Sequence, residues 1–291
     1  MSKKILLTAE TGSDITKELA EELGILLIPM HVSMGGETLD DGAFPAEDVC
    51  AYYDRSGKIP TTSGSTLYDF ESVYDEIFAK DPDTQILHLA YSAVTTCSYH
   101  SCELAIEDKP YAKNVRIVDT KHVSVGQCAV VLAVHEWLSA HPEASLDEAV
   151  AAAIAIGEQT QMCFMPKTLD YLRAGGRVSN AAAMVGNVLQ LHPCIEIIDG
   201  KLMAVKKYRG KLEKQAPLLL REFDAKHNLL RDHIYFISSP YMEEAVRTAL
   251  DAEAAAMGFE KVSWFRTGCV ITTHAGPGAF GIVGSTGKYD S

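Results

Sequence analysis

Short apolar runs alternate with helical patterns along the first half of the chain. Residues 4–8 read as a buried strand. Residues 14–23 follow, with Ile15, Leu19 and Leu23 spaced for one helical face and Gly24 as the stop. Residues 25–28 form a second strand, closed by Pro29. Residues 67–78 are helical after the cap candidates Ser65 and Thr66. Residues 85–90 and 115–118 are further apolar strands, and helices are expected after them at 98–106 and 123–139. Ser145 and Glu148 have the spacing of a capping box, in which each side chain satisfies the other's backbone N–H, and open a helix to about Gln159. Strand and helix in alternation predict βαβ units and a mostly parallel sheet.

The pattern then changes. Residues 162–165 are apolar and end at Pro166, and one or two helical turns follow over 169–173, before Gly175 and Gly176. The apolar runs 195–198 and 202–205 flank Asp199-Gly200, a strong hairpin signal because both residues tolerate positive φ. Residues 234–237 read as a strand, Pro240 as the start of a helix ending near Gly258, and 262–265 and 269–273 as two more strands. The expected fold is α/β in two domains, a mostly parallel sheet with helices over 1–156 and a mixed α/β unit over 157–291. Residues 33–59 lack a clear period and read as a lid or an insertion.

Composition narrows the function. The net charge of −13 repels phosphate backbones, so nucleic acid and anionic membranes are poor partners. Seven cysteines with no CxxC pair indicate neither a disulfide framework nor a zinc ribbon, and fit a cytoplasmic protein. The run Ile5-Leu6-Leu7 after Lys3-Lys4 is too short for a signal peptide, and no apolar stretch is long enough for integral membrane insertion. Gly276-Pro277-Gly278-Ala279-Phe280-Gly281 matches GxGxxG, but too little chain follows for the βαβ unit that dinucleotide binding requires. No phosphate loop, nucleophile elbow or metal-ligand spacing is present, so no cofactor, no metal and no catalytic residue is expected.

Four polar segments stand where a core should be apolar. Thr61-Thr62-Ser63-Gly64-Ser65-Thr66 precedes a helix and reads either as a capped loop or as an anion site at a helix N-terminus. Ser92-Ala93-Val94-Thr95-Thr96-Cys97-Ser98 follows a strand and reads either as a capped turn or as hydroxyls at a ligand-binding strand end. Tyr171-Leu172-Arg173-Ala174-Gly175-Gly176-Arg177-Val178-Ser179 is either a glycine-stopped helix with a solvated Arg or a bend that aims Arg177 at a carboxylate. Thr272-Thr273-His274-Ala275-Gly276-Pro277-Gly278 places a His before a turn, as a cap or as an anion donor.

Together these segments resemble the DegV family. The resemblance runs from about Ile5 to Ile282 and is most specific at Leu169–Ser179 with His192-Pro193, and at His274-Ala275-Gly276-Pro277-Gly278-Ala279. Asp199-Gly200, Lys207-Tyr208-Arg209 and Ile117-Val118-Asp119-Thr120 with Ser124 and Gly126 also fit it. The resemblance implies a lipid tunnel between two α/β domains that holds a long-chain fatty acid. It also implies a partner fatty acid kinase that phosphorylates the presented carboxylate. The fatty-acid carboxylate site then comprises Thr62, Thr96 and His274 as direct donors, with Arg177, Ser63 and Ser92 beside them. Thr96 stands where the family has Ser, Cys97 where it has Gly, Glu10-Thr11 where it has Asp-Ser, and Gly64-Ser65 where it has Gln-Pro. A buried 16-carbon chain contributes roughly 10 kcal/mol before the costs of association. The expectation is a monomeric carrier and not an enzyme. The rival readings are a binder of a different amphiphile, and a hydrolase or transferase using His274 as general base.

Overall fold

The computed structural model describes residues 5–177 and 191–288. The first sheet is parallel, in the order β2-β1-β6-β7, from β1 (Ile5–Glu10), β2 (Leu26–Ile28), β6 (Gln85–Ala90) and β7 (Val115–Asp119). Its strands are nearly continuous apolar runs because both faces are covered. Ile86 and Val115 pack towards α3 (Leu67–Lys80) and α4 (Ser98–Ile106). Leu87, Leu89 and Val118 pack the opposite way, against α5 (Ser124–Ala140) and α6 (Leu146–Gln159). Thr66 and Asp69 cap α3 reciprocally, as Ser145 and Glu148 cap α6.

The second sheet is mixed, in the order β10-β9-β8-β13-β11-β12. Its strands are β8 (Thr160–Met165), β9 (Leu191–Ile198), β10 (Lys201–Arg209), β11 (His233–Ser238), β12 (Lys261–Arg266) and β13 (Phe280–Ser285). Only β11 and β12 pair in parallel; the rest are antiparallel. Asp199 and Gly200, at φ 48° and 77°, make the expected tight hairpin turn between β9 and β10. One face packs on α8 (Leu212–His227) and α9 (Glu244–Ala256). The other contributes Phe164, Ile195 and Ile237 to the same core as Val130 and Val131 of α5. That helix is buried along most of its length because it lies between the two sheets.

Several expectations are corrected. Residues 33–59, expected as a lid or insertion, hold regular structure: β3 (His31–Met34), β4 (Glu37–Asp40) and α2 (Glu47–Ser56). With β5 (Thr61–Ser63) the strands form a third, antiparallel sheet, β4-β3-β5. Residues 269–273, expected as a strand from their β-branched run, are part of helix α10 (Cys269–Ala275). The Asp41 carboxylate accepts from the N–H groups of Cys269 and Val270, and Asp14 accepts from Gly268 N–H. Tertiary capping of these N–H groups overrides β propensity. For the same reason the helix expected from Asp14 begins only at Lys17, as α1 (Lys17–Leu23), with Thr16 as its cap. Asp14 is left-handed at φ 59° and committed to α10. The helix expected at Pro240 starts at Glu244, since Tyr241 is also left-handed, at φ 62°. Residues 212–227 and 280–285, given no element from sequence, are α8 and β13. Among the described residues no helix is long and apolar enough to cross a membrane.

Candidate functional site

Thr62 lies on β5, in register with the fully buried Val32 of β3. Its hydroxyl oxygen is 2.8 Å from Nε2 of His274, in the last turn of α10. The imidazole is packed from the other side by α7 (Asp170–Gly175), where a Cβ on Gly175 would stand 2.3 Å from Nδ1. Gly175 is therefore required for space, whereas its neighbour Gly176, at φ 63°, is required to end the helix in the left-handed region. Arg177 follows at once, with Nη1 donating to the Gly175 carbonyl at 2.7 Å. The Val178-Ser179 end of this motif lies outside the described residues.

Thr62, His274 and Arg177 border one cavity that encloses about 830 Å3, part of it open to solvent. Much of its wall is apolar, including Met30, Met162, Phe164, Leu172, Leu202 and Ile237. Ser63, Gly64, Thr95 and Thr96 continue the polar part beside Thr62. The Thr96 hydroxyl accepts from Ser98 N–H at 3.2 Å and lies 3.1 Å from the Ser98 hydroxyl. Gly64 gives these groups room: a Cβ there would sit 2.4 Å from Thr96 Oγ1 and 2.5 Å from Ser98 Oγ.

Burial, and then the charge of Arg177, push the His274 pKa down to about 4, so the imidazole is neutral at pH 7. Its Nδ1 has no hydrogen-bond partner among the described residues. Among those residues no carboxylate bonds to either His274 or Arg177. Among the described residues the group therefore presents a cation and several hydroxyls with no anion bonded to them, which suits it to an external carboxylate.

Five of the six residues nominated from sequence meet here: Thr62, Ser63, Thr96, Arg177 and His274. Ser92 does not. Its hydroxyl is fully buried and donates to the Gly200 carbonyl at 2.8 Å, joining the loop after β6 to the β9–β10 turn. Sequence reading missed Tyr91, Ser124, Ser239 and Thr267, which also line the cavity. Ser124 belongs to a stretch that fits the family resemblance but was not nominated for the site, and the other three are single residues outside any motif, marked only by their place beside a cavity. Among the described residues no cluster of three or more His, Cys, Asp or Glu could hold a metal ion.

A family model described as "Uncharacterised protein, DegV family" matches residues 4–286. A DegV domain-containing protein of Deinococcus radiodurans is 28% identical over 281 residues, covering 96% of this chain and 97% of that one. Among solved structures, a DegV family protein from Thermus thermophilus, described for its fatty acid binding, is 29% identical with a TM-score of 0.86, covering 97% of this chain and 99% of that one. A DegV family protein from Eubacterium eligens, loaded with heptadecanoic acid, has a TM-score of 0.82 at 19% identity, covering 98% of this chain and all of the other. At that identity the likeness speaks for a common fold. With the match spanning both sheets and the cavity between them, this chain belongs to the DegV family.

Proposed function

We propose that the protein binds one long-chain fatty acid, its tail in the apolar cavity and its carboxylate against Thr62, Thr96 and His274, with Ser63 and Arg177 beside them. One observation carries this reading: a cation and a set of donors with no bonded carboxylate among the described residues, at the edge of an apolar cavity. When His274 Nε2–H donates to Thr62 Oγ1, the Thr62 hydroxyl hydrogen is left to donate to the ligand. His274 then acts through Thr62 as well as lining the site. The likeness to the Thermus thermophilus fatty acid-binding protein supports the same assignment. The carrier comprises two domains, residues 1–156 and 157–291. It presents the carboxylate to a partner fatty acid kinase, because phosphoryl transfer needs a triphosphate and metal cradle that belongs to that partner.

A second reading takes the 2.8 Å pair of Thr62 and His274 as nucleophile and base. Such a base needs an orienting group on its other nitrogen. Nδ1 has none among the described residues, so binding is favoured.

Native mass spectrometry of the purified protein, followed by extraction of its ligand, tests the carrier. One fatty acid at near one-to-one occupancy is expected. Protein that is empty and refuses both palmitate and oleate overturns the reading. Acyl phosphate is expected only when a fatty acid kinase and ATP are added, and hydrolysis of an acyl ester by this protein alone favours the enzyme instead.

A further inference from the structure

The cavity has a second polar station, away from the carboxylate donors. Ser239 and Thr267 are the residues immediately after the parallel pair β11 and β12, whose last paired residues are Ser238 and Arg266. Thr267 N–H donates to the Ser238 carbonyl at 3.0 Å, which holds the two hydroxyl residues side by side. The carboxyl ends of parallel strands are where open α/β sheets take ligands. Ser124, the first residue of α5, joins them on the cavity wall. All three are buried, at 3%, 7% and 3% exposed for Ser239, Thr267 and Ser124.

Their hydrogen bonds leave specific capacity over. Ser239 Oγ accepts from Ala279 N–H at 2.8 Å, but among the described residues its own hydrogen has only the Ala279 carbonyl at 3.5 Å, too long to satisfy it. Thr267 and Thr272 hydroxyls lie 2.7 Å apart, and this bond consumes one of their two hydrogens. The other has no acceptor among the described residues. Ser124 donates to Asp14, which leaves its oxygen able to accept. Ser124 and Asp14 are both held left-handed, at φ 51° and 59°, although neither is glycine. Strain of this kind is kept where the surroundings determine it and concentrates at ligand sites. A bare alkyl chain gains nothing from two donors and an acceptor, whereas an alcohol, which both donates and accepts, matches them.

We propose that Ser239, Thr267 and Ser124 form a subsite for a hydroxyl group borne well along the acyl chain, so that the preferred ligand is a hydroxylated long-chain fatty acid. The proposal rests on the fatty-acid reading of the carboxylate end. Thr267 stands two residues before α10 and His274 lies in its last turn, and the helical part of that span alone rises about 7.5 Å at 1.5 Å per residue. A hydroxyl beside the carboxylate cannot reach the subsite.

The test is a titration of delipidated protein with stearate, 2-hydroxystearate, 10-hydroxystearate and 12-hydroxystearate. At least one of the two mid-chain hydroxy acids is expected to bind about five- to tenfold tighter than stearate, and 2-hydroxystearate is not. In a Ser239→Ala/Thr267→Val variant the ratio of hydroxy-acid to stearate affinity falls to about one, while Thr267→Ser keeps the preference. The two single variants replace the double one where its melting curve shows lost folding. Mid-chain hydroxy acids that bind no tighter than stearate to the wild type, or a preference that survives removal of both hydroxyls, overturn the proposal. Failure of all four acids to bind instead sinks the fatty-acid reading itself, and this subsite with it.

Discussion

Two histidines in this molecule each lie beside a threonine hydroxyl, and they do different work. His88 Nδ1 is 2.9 Å from Thr8 Oγ1, and His274 Nε2 is 2.8 Å from Thr62 Oγ1. His88 is sealed in the first sheet with Glu10, whose Oε1 lies 3.5 Å from Nε2. The other carboxylate oxygen of Glu10 accepts from Tyr91 N–H and Gln127 Nε2. Burial raises the Glu10 pKa, but His88 and these donors outweigh it and hold the carboxyl below its usual value. His274 has Arg177 nearby instead, faces a cavity and stays neutral. The His88–Thr8 pair carries its own anion, whereas the His274–Thr62 pair has a cation nearby and no bonded carboxylate among the described residues, which is the basis of the proposed carboxylate site.

The strongest way to break this contrast is to remove the built-in anion. Glu10→Leu strands His88 and two donors in the core and is expected to cost about 3–5 kcal/mol of unfolding free energy in a denaturant titration. A loss below about 1 kcal/mol shows that the buried pair does not hold the sheet together.

Acid separates the two sites next. The folded pKa of His274 lies below its unfolded value of 6.5, so its contribution to stability is complete above pH 6.5 and is lost as pH falls towards about 4. His122 and His233 are likewise pushed to about 4, chiefly by burial, and share that window. Glu10 acts lower: its contribution is present above pH 4.5 and disappears as pH drops through its depressed folded value. Unfolding free energy measured from pH 7 to 4 is expected to fall, and His274→Asn to remove at most about 3 kcal/mol of that fall. An unchanged slope shows that His274 is not held neutral in the fold.

Ligand affinity sharpens the contrast from the other side. Thr62→Val is expected to weaken fatty-acid binding about tenfold to a hundredfold with little change in melting temperature, since a charge-assisted donor is lost. Thr8→Val, in the sealed network, is expected to lower stability and spare affinity. Gly64→Ala gives the smallest effect, a roughly fivefold loss of affinity, as its Cβ displaces the Thr96 and Ser98 hydroxyls. Unaltered binding there removes Thr96 from the carboxylate donors.

Much of the scaffold is legible in the sequence. The strand Gln85–Ala90 and the helix Ser98–Ile106 keep the bounds read from their periods, and the 145–148 capping box and the 199–200 turn fall where local chemistry puts them. Helix α8 carried a readable stripe, with Leu212, Ala216, Leu219, Leu220 and Phe223 buried, but Pro217 interrupts it. Helix α10 was illegible, because its first turn is capped by carboxylates more than two hundred residues away.

By itself the sequence determined the alternation of elements in the first sheet and its helices, the caps of α3 and α6, and the family. These depend on side-chain period and on hydrogen bonds between near neighbours. Only the tertiary structure decided which hydroxyls share the cavity. It moved Ser92 to the Gly200 carbonyl, and brought Ser124, Ser239 and Thr267 to one wall. Thr62 and His274 meet across 212 residues because two sheets and a small third one pack around α5 and α10. Such a meeting is set by the packing of whole layers, and no local period along the chain records it.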